Sequence, residues 1–305
     1  MPLPEAAASH YRQVQRVQLV TMAAATAAWG RMGPDFDASW RTVGPLLVGL
    51  VGAAQGAAAR SGAAYVPAAL EQQGVAVDAL AEVAPEAFAG VASDGRPLDS
   101  LLYGAVTTSK AASVGTVAPE RALSAGAAWL EMAVRTQVTD AGRAAASVAV
   151  AARPRVGWTR AVNPPCCTRC AILAGKWFRF NDGFLRHPRC DCFHLPCVES
   201  GLGEVATDPA RLFSEGRVTG LRAAQRQAVA DGADPLQVVN ADRGRSAGGM
   251  YTLEGTTKRG VANRARRAAG LARANTRPTV DAIYRYASDR EDALTLLRQN
   301  GYLAP

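Results

Sequence analysis

All six cysteines of this chain fall between Cys166 and Cys197, and two of its three histidines, His187 and His194, lie among them. That crowding limits what the segment can become. Cys167 and Cys170 are separated by two residues, as are His187 and Cys190, and a 16-residue loop divides the pairs. A two-residue gap lets both donors turn toward one ion, and two such pairs supply the four S and N ligands that tetrahedral zinc prefers. Gly175 and Gly183 suit the turns of such a knuckle. The expected structural zinc ligands are therefore Cys167, Cys170, His187 and Cys190, with Cys192 and His194 as alternates.

Three other uses compete for these residues. Disulfides need an oxidising compartment, and the first stretch of sequence lacks the basic start and apolar centre of a secretion signal. Isolated cysteines can serve as small buried hydrophobes, but all six in one segment is not an isolated pattern. A cysteine beside a histidine can also act as nucleophile and base.

The rest of the sequence predicts a mainly α protein in three pieces: a helical body over 1–154, a small β-containing zinc knuckle over 155–198, and a basic helical region over 199–305. Tyr11, Val14 and Val17 recur at helical spacing, in a first helix that runs to Trp29 and breaks at Gly33-Pro34. Further helices are expected over 38–60 and 67–90, then a turn over 93–99. A long Ala-rich helix follows over 118–151, with Trp129, Met132, Ala133 and Thr136 as its buried stripe. The stretch 42–59 carries no charge, but half of it is Gly or Ala and it contains Gln55, so a packed helix is expected rather than a membrane span. Beyond the knuckle, Asp208-Pro209 starts a helix through Leu212, Leu221 and Val229 to Gly232, and Ser288 with Glu291 fits a capping box for the last one.

Charge is distributed unevenly along the chain. The net charge is +8, yet residues 67–100 hold six acids against Arg96 alone, and residues 255–277 contain no acid at all. In that basic segment Arg259, Arg266 and Arg273 recur every seven residues, and Arg277 continues the row. Were 260–274 one helix, these residues would form one stripe able to track a phosphate backbone without reading sequence, and Arg264 and Arg267 complete the candidate nucleic-acid-binding set. A solvated surface helix is the plain alternative.

At the cysteine segment the chain resembles the MuF-like minor head proteins of tailed bacteriophages, the phage head morphogenesis family. The likeness rests on a helical region leading into Cys167 and Cys170, then Gly175 and Trp177, then His187, Pro188, Cys190, Cys192 and Pro196. It covers mainly residues 120–196; Cys166, His194 and Cys197 are extra to the motif. The resemblance implies a minor capsid protein inside the virion, assembled in the bacterial host cytoplasm. Its implied partners are portal and capsid or scaffold proteins and packaged DNA, and its implied role is head assembly or DNA delivery. Two enzymatic alternatives stand beside it: a capsid maturation protease, and a metal-dependent nuclease of the His-Asn-His kind drawing on Asn181, His187 and His194.

Overall fold

The computed structural model describes residues 4–114, 118–190 and 192–303. In chain order the helices and strands are α1 (Glu5–Trp29), α2 (Phe36–Glu71), α3 (Leu98–Leu102), α4 (Gly104–Ala112), α5 (Pro119–Ala151), β1 (Gly157–Ala161), β2 (Cys166–Cys167), α6 (Thr168–Leu173), β3 (Trp177–Phe178) and β4 (Phe193–Cys197). They continue with α7 (Leu202–Val205), α8 (Pro209–Ser214), β5 (Val218–Thr219), α9 (Ala223–Ala230), α10 (Pro235–Asn240), β6 (Tyr251–Thr252), α11 (Val261–Ala268), β7 (Arg277–Pro278), α12 (Val280–Tyr286) and α13 (Arg290–Gln299). The protein is mainly α with a small sheet region, as the sequence predicts.

The chain divides into two compact units. One holds everything up to Ala161 together with Lys176–Ala206; the other holds Val162–Gly175 and everything from Thr207 onward. The first is a bundle of α1, α2, α4 and α5 carrying a three-stranded antiparallel sheet in the order β3-β1-β4. Trp29, Val43, Leu47, Val51, Leu102, Leu130 and Val134 form the bundle core. A second cluster, with Tyr65, Leu70, Val150, Trp158, Phe193 and Leu195, joins the ends of α2 and α5 to the sheet.

Helix α2 departs most from expectation. It runs to Glu71, through Pro45 and Pro67. Gly74, at φ +70°, then turns the chain away, so the helix expected over 67–90 does not form, and only a short 3-10 turn stands at Pro85–Phe88. By length and composition α2 is apolar enough to cross a membrane, and 56% of its most apolar stretch is buried. The core helix of a bundle passes the same test.

Helix α5 is where the sequence places it, but its buried stripe is Ala122, Gly126, Leu130, Ala133, Val134 and Val138. Trp129, expected at its centre, is only half-buried, because it lies over the flat spot left by Gly104. Helices α2 and α5 make the most extensive helix pair. They meet at Gly62 and Gly142, where a Cβ on Gly62 would overlap the Gly142 carbonyl.

His10 belongs to this core. It is 6% exposed, stacks on Tyr65 with 4.2 Å between ring centroids, and places Nδ1 2.7 Å from the Ser61 hydroxyl. That hydroxyl donates to Gln13 Oε1 at 3.0 Å. Burial lowers the His10 pKa to about 4. The unfolded chain, near 6.5, therefore takes up this proton first as pH falls. The stability contribution is complete above about pH 6.5 and is lost progressively down to about pH 4, amounting to roughly 3 kcal/mol. We expect His10→Phe to melt with a shallower dependence on pH across that window than the wild type. Parallel curves for the two proteins would rule this out.

The second unit is built from short elements. Gly216 and Gly220, both at positive φ, break the helix expected from Asp208 to Gly232 into α8, β5 and α9. Strand β5 pairs in parallel with β2. The core is Ala228, Val238, Val280, Ile283, Leu297 and Tyr302. Asp208 caps α8, as expected, whereas Asp289 rather than Ser288 caps α13, accepting the Asp292 N–H at 2.9 Å.

Candidate metal centre

The first cysteine arm is a strand-to-helix turn. Cys167 ends β2 with extended backbone and is the N-cap of α6, its Sγ accepting the Cys170 N–H at 3.4 Å. The two-residue gap thus brings both sulfurs to one side, with Cys170 buried and Cys167 half-buried. Hydrogen bonds to the neighbouring strand hold the arm: Cys166 N–H donates to the Arg217 carbonyl at 3.1 Å, and the Thr219 hydroxyl donates to the Cys166 carbonyl at 3.3 Å.

The closing arm turns before β4. Cys190 N–H returns to the His187 carbonyl at 3.1 Å, and Arg189 takes φ +64°, a left-handed conformation uncommon outside glycine. His187 Nδ1 lies 2.8 Å from the Pro188 carbonyl. A carbonyl can only accept, so that nitrogen carries the proton and Nε2 is the donor atom available to a metal. Cys190 and Cys192 are both buried, with sulfurs 2.7 Å apart.

Helix α5 grips this arm from below. Arg143 Nε donates to the Cys192 carbonyl at 2.8 Å, its Nη2 also reaches the Cys190 carbonyl, and its Nη1 pairs with Asp140 at 2.9 Å. Asp140 takes a second cation, Arg186, at 2.5 Å.

The donor atoms converge in two overlapping groups: Cys167, Cys170 and His187, and Cys170, Cys190 and Cys192. Within each, the donor atoms lie within 4.8 Å of one another. Cys170 is common to both. Three thiolate-capable sulfurs in one cluster can hold a metal ion, and the donors fit a soft or borderline divalent cation. The four expected ligands are divided between these groups, His187 falling in the first and Cys190 in the second, beside the alternate Cys192.

The alternate His194 belongs to neither. It sits 1% exposed on β4, with Trp158 and Phe184 rings at 4.6 and 4.3 Å and Nε2 3.1 Å from the Ser147 hydroxyl. Burial, then the positive charges of Arg143, Arg160 and Arg186, push its pKa well below the usual histidine value. It is a core histidine. Cys197 is likewise a core thiol, fully buried and pushed up to about 12 by burial. Neither it nor Cys166 belongs to either group. Asn181 is exposed on the loop, so the three nuclease candidates sit in unlike surroundings.

Sequence reasoning missed Arg143 and Arg160. Both are nearly fully buried beside the closing arm, and an arginine on an Ala-rich helix or a short strand reads as a surface residue.

The basic segment does not form the expected stripe. Helix α11 covers only Val261–Ala268 and is ended at Gly270, which takes φ +71°. Arg259 precedes it and Arg273 follows it, so the seven-residue repeat has no common face. Arg266 Nε is tied to the Ala272 carbonyl at 2.8 Å. Arg277 is fully buried, donating to the Asn300 carbonyl at 2.9 Å and lying over the Tyr302 ring at 4.1 Å. It is a core residue, because the ring and carbonyls at the chain's end supply the partners that water would otherwise provide. Lys258, Arg259, Arg264, Arg267 and Arg273 are exposed.

Compared with known proteins, the chain matches no family model, no curated protein and no solved structure.

Proposed function

We propose that this chain is a minor head protein of a tailed bacteriophage, in which a structural zinc ion ties a cysteine knuckle to a helical body. The observation that carries the reading is the pair of donor groups that share Cys170, one with Cys167 and His187 and the other with Cys190 and Cys192. These are the positions on which the likeness to the MuF-like family rests, and the same helix-to-knuckle order accompanies them. Zinc is preferred because the donor set is thiolate and imidazole. The role proposed is structural, inside the capsid, with portal and capsid or scaffold proteins as partners.

Quantitative mass spectrometry of purified particles and assembly intermediates tests this. The protein is expected in heads at far lower copy than the major capsid protein, and its absence from both would refute the assignment. DNA is a second proposed partner through the exposed Lys258, Arg259, Arg264, Arg267 and Arg273. Binding to duplex DNA should weaken steeply with salt as counterions are released, and replacing Arg264 and Arg267 by Gln should flatten that slope. Salt-independent retention would remove DNA from the account.

A further inference from the structure

We propose that the groove between α11 and α13 is a docking site for an acidic amphipathic helix of a partner protein. The inference goes beyond the reading above and uses none of the cysteine cluster.

Helix α11 and its C-cap put Ala265, Ala268 and Ala269 along one side of the groove, and α13 puts Thr295, Arg298 and Gln299 along the other. Each trio is spaced i, i+3, i+4, so each forms one row along a helix face. The floor is bare because an alanine side chain ends at Cβ, and Ala268 and Ala269 are exposed. The space this leaves is about 380 Å³, within the range that binding clefts occupy. Two facing helical rows make a channel into which the side-chain ridge of a third helix fits. An extended segment would find no such match, because strand addition needs an open backbone edge and a helix wall has none.

Charge decides what that third helix carries. Helix α11 contains Arg264, Arg266 and Arg267 and no acid, and the groove lining contributes Arg298 and no acid. Arg264 is one turn from Ala268, at the edge of the floor. Arg264, Arg267 and Arg298 are exposed, and none of the three pairs with a carboxylate among the described residues. Elsewhere in the same unit exposed arginines such as Arg211 and Arg290 are matched by Glu215 and Asp231. The acids of α13, Glu291 and Asp292, stand in its first turn, at the opposite end from Arg298. A helix with acids beside an apolar ridge meets both features at once: the ridge lies on the alanines, and the acids reach Arg264 and Arg298. Rim pairs of this sort select and steer a partner more than they add affinity. Duplex DNA would use the arginines alone and leave the alanine floor untouched.

The test uses the full-length protein and a fluorescent synthetic helical peptide, with leucines at i, i+3, i+4 and i+7 and glutamates on either side of that row. Its anisotropy should saturate as protein is added. The same peptide with lysine for every glutamate, or with a central proline that breaks the helix, should bind about tenfold more weakly. Ala268→Trp fills the groove without altering charge, so it should weaken the acidic helix about tenfold while leaving duplex DNA binding unchanged. Arg264→Glu combined with Arg298→Glu should reverse the preference between the glutamate and lysine peptides. The proposal is overturned if the acidic helix never saturates, if either control peptide binds as tightly, or if Ala268→Trp loses nothing. Should Ala268→Trp not fold, the charge-reversed protein decides, and an unreversed preference overturns the proposal. Sedimentation showing a dimer that Ala268→Trp dissolves would give the groove to a second copy and overturn it as well.

Discussion

On the proposed structural-zinc reading, replacing Cys170 by Ser should abolish metal binding more completely than any other single change. Cys170 is the one donor common to both groups of converging ligands, so its loss leaves neither group with three members. Elemental analysis should fall from about one zinc per chain to a small fraction of that. The sheet should loosen, because strands of two to five residues have little apolar surface of their own with which to offset chain entropy. The reporter is Trp158, which is 1% exposed and packed on Phe178 at 4.3 Å and Phe184 at 5.0 Å. Trp177, which the sequence makes the natural choice, is already half-exposed. Emission should shift to the red in Cys170→Ser and in chelator-treated wild type, and the shift should vanish when Trp158 is Phe. The far-ultraviolet helical signal should change little, since the bundle core of Trp29, Leu47 and Leu130 does not depend on the sheet. A metal-free wild type that melts together with Cys170→Ser would refute the structural role of zinc.

The second large effect is a reversal of sign within one helix. Replacing Gly by Ala inside a helix ordinarily stabilises it by about 1 kcal/mol. Gly49, exposed on α2 with nothing within 4 Å of a Cβ, should show that gain. Gly62, on the same helix, should show the opposite, because its Cβ would overlap the Gly142 backbone and force α2 and α5 apart. Backbone cannot move aside as a side-chain tip can. Overpacking of this kind typically costs about 1–3 kcal/mol, and Gly62→Val should cost more than Gly62→Ala. Thermal melts of the three variants beside the wild type measure it. Equal stabilisation by Gly49→Ala and Gly62→Ala would mean the two helices do not meet there.

What the sequence makes legible follows from where physical constraints are local. A two-residue gap between donors is local, so the approach of the Cys167 and Cys170 sulfurs is readable from spacing alone, whereas His187 and Cys190, equally spaced, fall in different donor groups. The choice between Cys192 and His194 is not, because two positions apart on one extended segment they differ only in what lies opposite them. Arg160 faces the first, and Trp158, Phe184 and Ser147 surround the second. The length of α5 is legible from Pro119 and its unbroken Ala-rich pattern. Its buried stripe is not, since glycines on partner helices decide which large residues find room. Pro67 reads as the start of a helix although it lies inside one, near the end where few hydrogen bonds remain to lose. Arg277 reads as surface because nothing nearby in the sequence announces Asn300 and Tyr302, which lie more than twenty positions further along.

The two units also take turns along the chain. The backbone passes from the first to the second after Ala161, returns at Lys176, and leaves again after Ala206. Neither unit is therefore a single continuous stretch of sequence, and a single backbone break cannot separate them. Cutting after Ala206 would leave the first piece carrying Val162–Gly175, an excursion whose β5 partner is on the other fragment. Severing the units cleanly takes three cuts, one at each crossing, and two of these flank the segment bearing Cys167 and Cys170. A protease acting on one exposed loop would nick this protein without releasing half of it.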